Sequence, residues 1–260
     1  MRKLFSASIP CKGGCKYCFA KWANYTPQME LSQEIPNVDT ESIILYPCCD
    51  GDCFNQINLF EQLMQLKEVH QKVYISISSK SFPSDEQITE LKNLHQWLVQ
   101  TGNGYLKFAI SLSNRSMLEE IEPMTMPYEE RVNLASKINA IGIPLSLTIK
   151  PILPFIPEIE YKTILSDFQP YLKHVLLGGL YVDKESDFFH NYLSNYECTK
   201  RKVSWLPNTP EWDYIEDSTL IENLQNYAHK LGIKTFLSDN ELMESLANEV
   251  MLQNGYYGNN

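Results

Sequence analysis

Three cysteines, Cys11, Cys15 and Cys18, stand within eight residues in the stretch "IPCKGGCKYCFAKW", residues 9–22. On a helix these positions would share a face, but Gly13 and Gly14 between them favour a tight loop. Thiols so closely set can hold metal. A structural zinc site wants four protein ligands in paired spacings. The pattern Cys-x3-Cys-x2-Cys offers three, with no His-x3–5-His after it. Three unrelated buried thiols are a further alternative, to which the polar loop "CKGGCKYC" is poorly suited. A cubane [4Fe–4S] cluster fits the set better. Three thiolates would hold three irons and leave the fourth open to a small molecule.

A second group of thiols lies in "YPCCDGDCFN", residues 46–55, with Cys48, Cys49 and Cys53. A second metal site and simple burial as small apolar groups both account for them. The histidines are scattered, and "CCDGDC" alone is short of ligands for another cluster. "TKRKVSW" (199–205) is the one compact basic run, and a run of this kind on a loop is ordinarily solvated.

The elements that must position these groups follow from hydrophobic periodicity. Strands are expected at 3–9, 42–46, 73–78, 105–112, 143–149 and 174–182. Helices fit between them. One repeats Ile57, Phe60, Leu63, Met64 and Leu66. A second starts with Ser84 and Gln87 at capping-box spacing and runs through Ile88, Leu91, Leu94 and Leu98. A third carries Val132, Ala135, Ile138 and Ile141 and stops at Gly142. Strand and helix alternate six times, which means parallel strands with helices outside, as a barrel or an open sheet. The cysteine loop then leaves the C-terminal end of the first strand, where such folds place their active sites. Towards the end, Leu220, Leu224, Tyr227, Ala228 and Leu231 form one helical stripe ended by Gly232. "IKTFL" reads as one more short strand, and the tail "NGYYGNN" as frayed.

The chain of 260 residues shows no repeat, low-complexity tract or linker, so one domain is expected, a barrel over about 3–182 and a C-terminal α/β extension over about 183–260. Its 43% hydrophobic and 21% charged residues are ordinary for a soluble globular protein. No export signal and no membrane span are read, so a reducing, cytoplasmic setting is expected, where clustered cysteines bind metal or do chemistry. The net charge of −10 argues against a generic phosphate-binding surface.

The cysteine spacing, with Tyr17 before the last thiol, resembles the signature of the radical S-adenosylmethionine superfamily. The resemblance continues through "SSKS" (78–81) and "SLSNRSMLEEIEPMTMPYEERVNLASKINAIGIPLSLTIKPILPFIP" (111–157), which is similar to the spore photoproduct lyase and DNA-repair-photolyase branch. The matching positions are Lys80, Glu122, Pro123, Pro127, Arg131, Gly142, Pro151 and Pro154, so the likeness spans roughly residues 5–182. It implies an α/β fold, a partial (β/α)6 TIM-like barrel. It also implies a [4Fe–4S] cluster on Cys11, Cys15 and Cys18 whose open iron chelates S-adenosylmethionine. One electron then gives methionine and a 5′-deoxyadenosyl radical that abstracts a substrate hydrogen.

By the same resemblance, Ser78, Ser79, Lys80, Ser111 and Ser113 face the cofactor, with Lys80 toward its carboxylate. Tyr17, Asp50 and Gly51 are counted with them. The loop holding Asp50 and Gly51 departs from the Gly-Gly-Glu-Pro form common in the superfamily. Cys48 and Cys49 fall where the lyase carries a cysteine that returns a hydrogen atom to the product radical. Glu122 and Arg131 read as an internal ion pair orienting the helix after strand four. A nucleic-acid base or lesion is the expected substrate, with a flavodoxin or ferredoxin as reductant. The alternatives are a maturase acting on a peptide or small metabolite, and a non-catalytic iron–sulfur or zinc module.

Overall fold

A computed structural model describes residues 2–5, 7, 9–23, 42–56, 58–68, 72–204, 206 and 208–253. Ile57, Trp205, positions 6 and 8 of the expected first strand, and the tail 254–260 lie outside the described residues. Six strands come first: β1 (Arg2–Leu4), β2 (Ser42–Tyr46), β3 (Lys72–Ser79), β4 (Gly104–Ser111), β5 (Leu145–Ile149) and β6 (His174–Leu177). They pair in sequence order and all in parallel. Between and after them run α1 (Leu59–Met64), α2 (Asp85–Gln100), α3 (Leu118–Ile121), α4 (Tyr128–Ala140) and α5 (Glu158–Phe168). This is the expected partial barrel.

Two features correct the sequence reading. The stretch 174–182 is two strands, because the chain turns at Gly178–Gly179. Its second half, β7 (Leu180–Val182), joins β8 (Thr199–Lys202) and β9 (Glu211–Ile215) in a separate antiparallel sheet of order β7-β9-β8. The basic run is therefore mostly an edge strand. After α6 (Asp187–Tyr192) and α7 (Ser218–Lys230), β10 (Lys234–Phe236) pairs in parallel with β6 and becomes the seventh strand of the main sheet. The last helix, α8 (Asp239–Gln253), follows.

Side chains alternate across each strand. The outer face of β3 and β4 carries Val73, Ile75, Ile77, Leu106, Phe108 and Ile110, which pack in the main core together with helix residues such as Leu91, Leu94 and Leu98. The alternate positions are Tyr74, Ser76 and Ser78 on β3 and Tyr105, Lys107, Ala109 and Ser111 on β4. That mixed face lines the barrel interior. Part of the interior is filled by α8, whose Leu242, Met243, Leu246 and Val250 pack on Ile44, Tyr105 and Leu176. Burying each such side chain contributes about 1.5–3 kcal/mol. The rest of the interior stays open.

The capping box of α2 forms as the sequence indicates. The Gln87 amide donates to Ser84 Oγ (3.1 Å) and the Ser84 amide to Gln87 Oε1 (2.9 Å). Gln87 Nε2 also donates to the Phe54 carbonyl (3.0 Å), tying the helix to the turn after β2.

Candidate functional site

The open interior forms a cavity of about 420 Å³, within the usual size range of small-molecule sites. Cys11, Cys15, Tyr17, Cys18, Cys48, Cys49, Asp50, Gly51, Ser78, Ser79, Lys80 and Ser111 all line it. Ser113 does not; its Oγ is buried and donates to Glu122 Oε1 (2.6 Å), so it acts behind the wall. Cys53 also stays off the wall, 1% exposed among apolar neighbours, as the burial reading has it.

The cysteine loop is clamped from two sides. The Ala7 amide donates to Asp50 Oδ1 (2.7 Å), and the Ile9 amide to Gln56 Oε1 (2.8 Å), while Gln56 Nε2 returns a bond to the Ile9 carbonyl (2.9 Å). On the other side the Lys16 amide reaches the Ile121 carbonyl (2.9 Å), and the Met124 amide reaches that of Gly13 (3.2 Å). Gly51 belongs to the first clamp: a Cβ there would sit 2.3 Å from Ala7 Cβ. Asp50 and Gly51 thus hold the loop as well as line the cavity.

A Cβ placed on Gly13 would lie 3.4 Å from Cys11 Sγ and 3.8 Å from Cys15 Sγ, so the two sulfurs flank this residue. Cys18 follows one turn on, its amide donating to the Cys15 carbonyl (3.3 Å). Burial raises all three thiols above their ordinary pKa, and nearby Lys80 partly offsets this. Among the described residues, no three His, Cys, Asp or Glu side chains close around a single ion. The three sulfurs instead share one wall of a wider chamber. That suits a cluster, whose thiolates attach to different metal atoms.

Beside the loop stands a charged hub. Glu122, fully buried, accepts from Lys80 Nζ (2.7 Å), Arg131 (2.8 Å), Ser113 and Tyr17. Arg131 is equally buried and also donates to the carbonyls of Ser111 (2.7 Å) and Met126 (2.8 Å). The internal ion pair expected from the sequence is therefore present. Burial alone would raise the Glu122 carboxyl, but Lys80 and Arg131 hold it down to about 2. Burial drives the Tyr17 hydroxyl well above its usual pKa, and Glu122 adds to this. Two cations against one carboxylate leave one net positive charge, and Lys80 Nζ carries it to 3.8 Å from Cys15 Sγ.

Sequence reasoning missed several groups here. Asp52 accepts from Ser79 Oγ (2.9 Å), the Lys80 amide (2.9 Å) and the Phe54 amide (3.1 Å), so it fixes the end of β3 against the turn after β2. Its signal was an acid inside the second cysteine loop. Lys107 and Asp239 form a 2.5 Å pair across the interior, with Ser76 on the same carboxylate (3.2 Å). Lys150, Tyr181 and Phe19 line the remaining wall. Trp212 packs edge-on against Tyr181 (ring centroids 5.6 Å apart) and Trp22 (4.7 Å).

Cys48 sits at φ 66°, a left-handed backbone, and burial, assisted by Asp50, pushes its thiol up to about 12. The Cys49 amide donates to the Phe5 carbonyl (2.9 Å), which holds this turn against the segment that leads to the thiol loop.

No protein-family model matches the sequence. An uncharacterized protein of Methanocaldococcus jannaschii is 22% identical over 215 residues, 76% of this chain and 79% of that protein. A spore photoproduct lyase mutant superposes with a TM-score of 0.66 at 15% identity, covering 88% of this chain and 75% of the lyase. Another mutant of that lyase, with bound AdoMet and dinucleoside spore photoproduct, gives 0.65 at 14% identity over 90% and 76%. Streptococcus suis SuiB bound to S-adenosylmethionine gives 0.57 at 9% identity, over 90% of this chain and 46% of SuiB. The chain thus shares the fold of spore photoproduct lyase. Among the described residues, no helix is long and apolar enough to cross a membrane.

Proposed function

We propose that this chain is a radical S-adenosylmethionine enzyme, in which Cys11, Cys15 and Cys18 hold a [4Fe–4S] cluster and S-adenosylmethionine binds next to it. The observation that carries this reading is the convergence of three thiols and the Lys80 ammonium on a single chamber at the C-terminal ends of parallel strands. When bound, the cluster supplies the electron that cleaves the cofactor to methionine and a 5′-deoxyadenosyl radical, which takes a hydrogen from the substrate.

The chain's own residues position and shield. Asp50 and Gln56 fix the approach to the thiol loop, and Asp52 fixes the end of β3. Lys80 offers a cation to the thiolates and to a cofactor carboxylate, and Glu122 and Tyr17 hold it in place. Ser78 and Ser111 offer hydroxyls along the wall. Tyr181 and Phe19 give the wall two aromatic faces. A raised thiol pKa keeps Cys48 protonated at neutral pH, the form a hydrogen-atom donor needs, and Cys49 beside it also lines the cavity. A substrate bearing a nucleobase is favoured by the dinucleoside bound in the related lyase. A flavodoxin- or ferredoxin-type protein would deliver the electron.

The test is anaerobic reconstitution with iron and sulfide, then dithionite and S-adenosylmethionine. The protein should release 5′-deoxyadenosine. Cys48→Ala and Cys49→Ala should leave that release intact, because the thiol acts after abstraction, while the normal product gives way to by-products. No 5′-deoxyadenosine from a fully loaded protein would overturn the enzyme reading. Normal product from both single variants and the double variant would remove the donor role.

A further inference from the structure

The β5–β6 side of the chamber is built differently from the thiol side. Thr148, Leu176, Leu180 and Tyr181 line it, and Lys150, the residue just after β5, stands among them. Lys150 keeps an exposed surface, which opens on the chamber, while protein packs around the rest of the side chain. Lys80 is paired with Glu122 and Lys107 with Asp239, whereas Lys150 has no hydrogen bond or ion pair among the described residues. The charged groups facing it at longer range are Arg201, Asp239 and Glu216. Each of these has a nearer partner: Arg201 and Glu216 hold one another (3.2 Å), and Asp239 holds Lys107 (2.5 Å).

The backbone leaves room for this side chain. A Cβ on Gly178 would come within 2.9 Å of Lys150 Cδ, 3.0 Å of Cε and 3.1 Å of Cγ, so the stem lies along bare main chain just past β6. The Ile152 amide donates to the Gly178 carbonyl (2.8 Å) and closes that contact. An ammonium that faces the chamber without a counter-charge attracts an incoming anion.

We propose that Lys150 is the chamber's receptor for an oxyanion of the substrate, a phosphate or a carboxylate. The inference rests on the chamber being the cofactor and substrate site. A lysine suits the role because a compact point charge accepts either oxyanion without a fixed plane. Burial lowers the ammonium's pKa, with Arg201 adding to it, so an anionic partner would also stabilise the charged form.

The experiment uses the full chain, with and without reconstituted metal, and does not depend on turnover. Trinitrobenzenesulfonate modifies amines and is itself anionic. In mildly alkaline buffer it should label Lys150 faster than the exposed Lys92 and Lys230, as read by peptide mapping. Millimolar inorganic phosphate should slow labelling of Lys150 selectively, while chloride at equal ionic strength should not. Acetate in a parallel arm separates a carboxylate site from a phosphate site. Calorimetric affinity for the protecting ion should fall about tenfold or more in Lys150→Met and recover in part in Lys150→Arg. Gly178→Ala, which displaces the stem and keeps the lysine, should weaken it too. Failure of both anions to protect Lys150, or equal protection of all lysines, overturns the proposal. Protection without any 5′-deoxyadenosine release would leave this subsite standing and fail the enzyme reading instead; release without protection would do the reverse.

Discussion

Cys15→Ala, like Cys11→Ala and Cys18→Ala, should leave a folded protein that retains almost none of the wild-type iron after anaerobic reconstitution and releases no 5′-deoxyadenosine. The loop carries one thiol for each of three iron corners, and each removal frees a corner of the cluster. Cys49→Ala is the matched control. It removes a thiol from the same cavity, on a different turn, and should keep the iron content of the wild type. Iron retained by all three loop variants would show that the metal is held elsewhere.

Arg131→Met should be the most destabilising single change at the hub. The arginine and Glu122 are both fully buried, and removing one partner leaves an uncompensated carboxylate with only Lys80 to answer it. Breaking such a pair costs about 3–5 kcal/mol, a large share of an ordinary domain's stability. The carbonyls of Ser111 and Met126 lose their donor as well. The pH dependence gives a second reading of the same hub. The Glu122 pKa is depressed from an ordinary 4.5 to about 2, so its contribution is fully present above the unfolded value. That contribution, about 3 kcal/mol, is lost as the pH falls from about 4.5 through 2. Urea midpoints across that window should drop for the wild type and drop less for Glu122→Gln. A Glu122→Gln curve parallel to the wild type would remove Glu122 as the titrating group, and an Arg131→Met midpoint close to wild type would remove the buried pair as a source of stability.

Strand cores were readable because parallel strands buried on both faces are runs of β-branched and aliphatic residues. The bounds of β2 coincide with the expected 42–46, and β3 and β4 differ from expectation by one residue at each end. The split at Gly178–Gly179 was not readable. The run on either side is equally apolar, and only the antiparallel partner β9, distant in sequence, decides that Leu180–Val182 leaves the main sheet. For the same reason "IKTFL" was readable as a strand but not as the seventh strand of the main sheet, since pairing with β6 is a long-range contact. In the site, the thiol loop was legible from composition and spacing alone, and Lys80, Glu122 and Arg131 from a resemblance. Asp52 and Lys150 were not. An aspartate in a polar loop and a lysine at a strand end look solvated until the neighbouring elements are in place.

The account turns on what the three thiols hold. Metal and acid-labile sulfide should be determined on the wild-type protein reconstituted anaerobically with iron, sulfide and zinc all present. The expected result is about four irons and four sulfides per chain, with an electron paramagnetic resonance signal on reduction that changes when S-adenosylmethionine is added. One zinc per chain, with no iron and no sulfide incorporated, would contradict it.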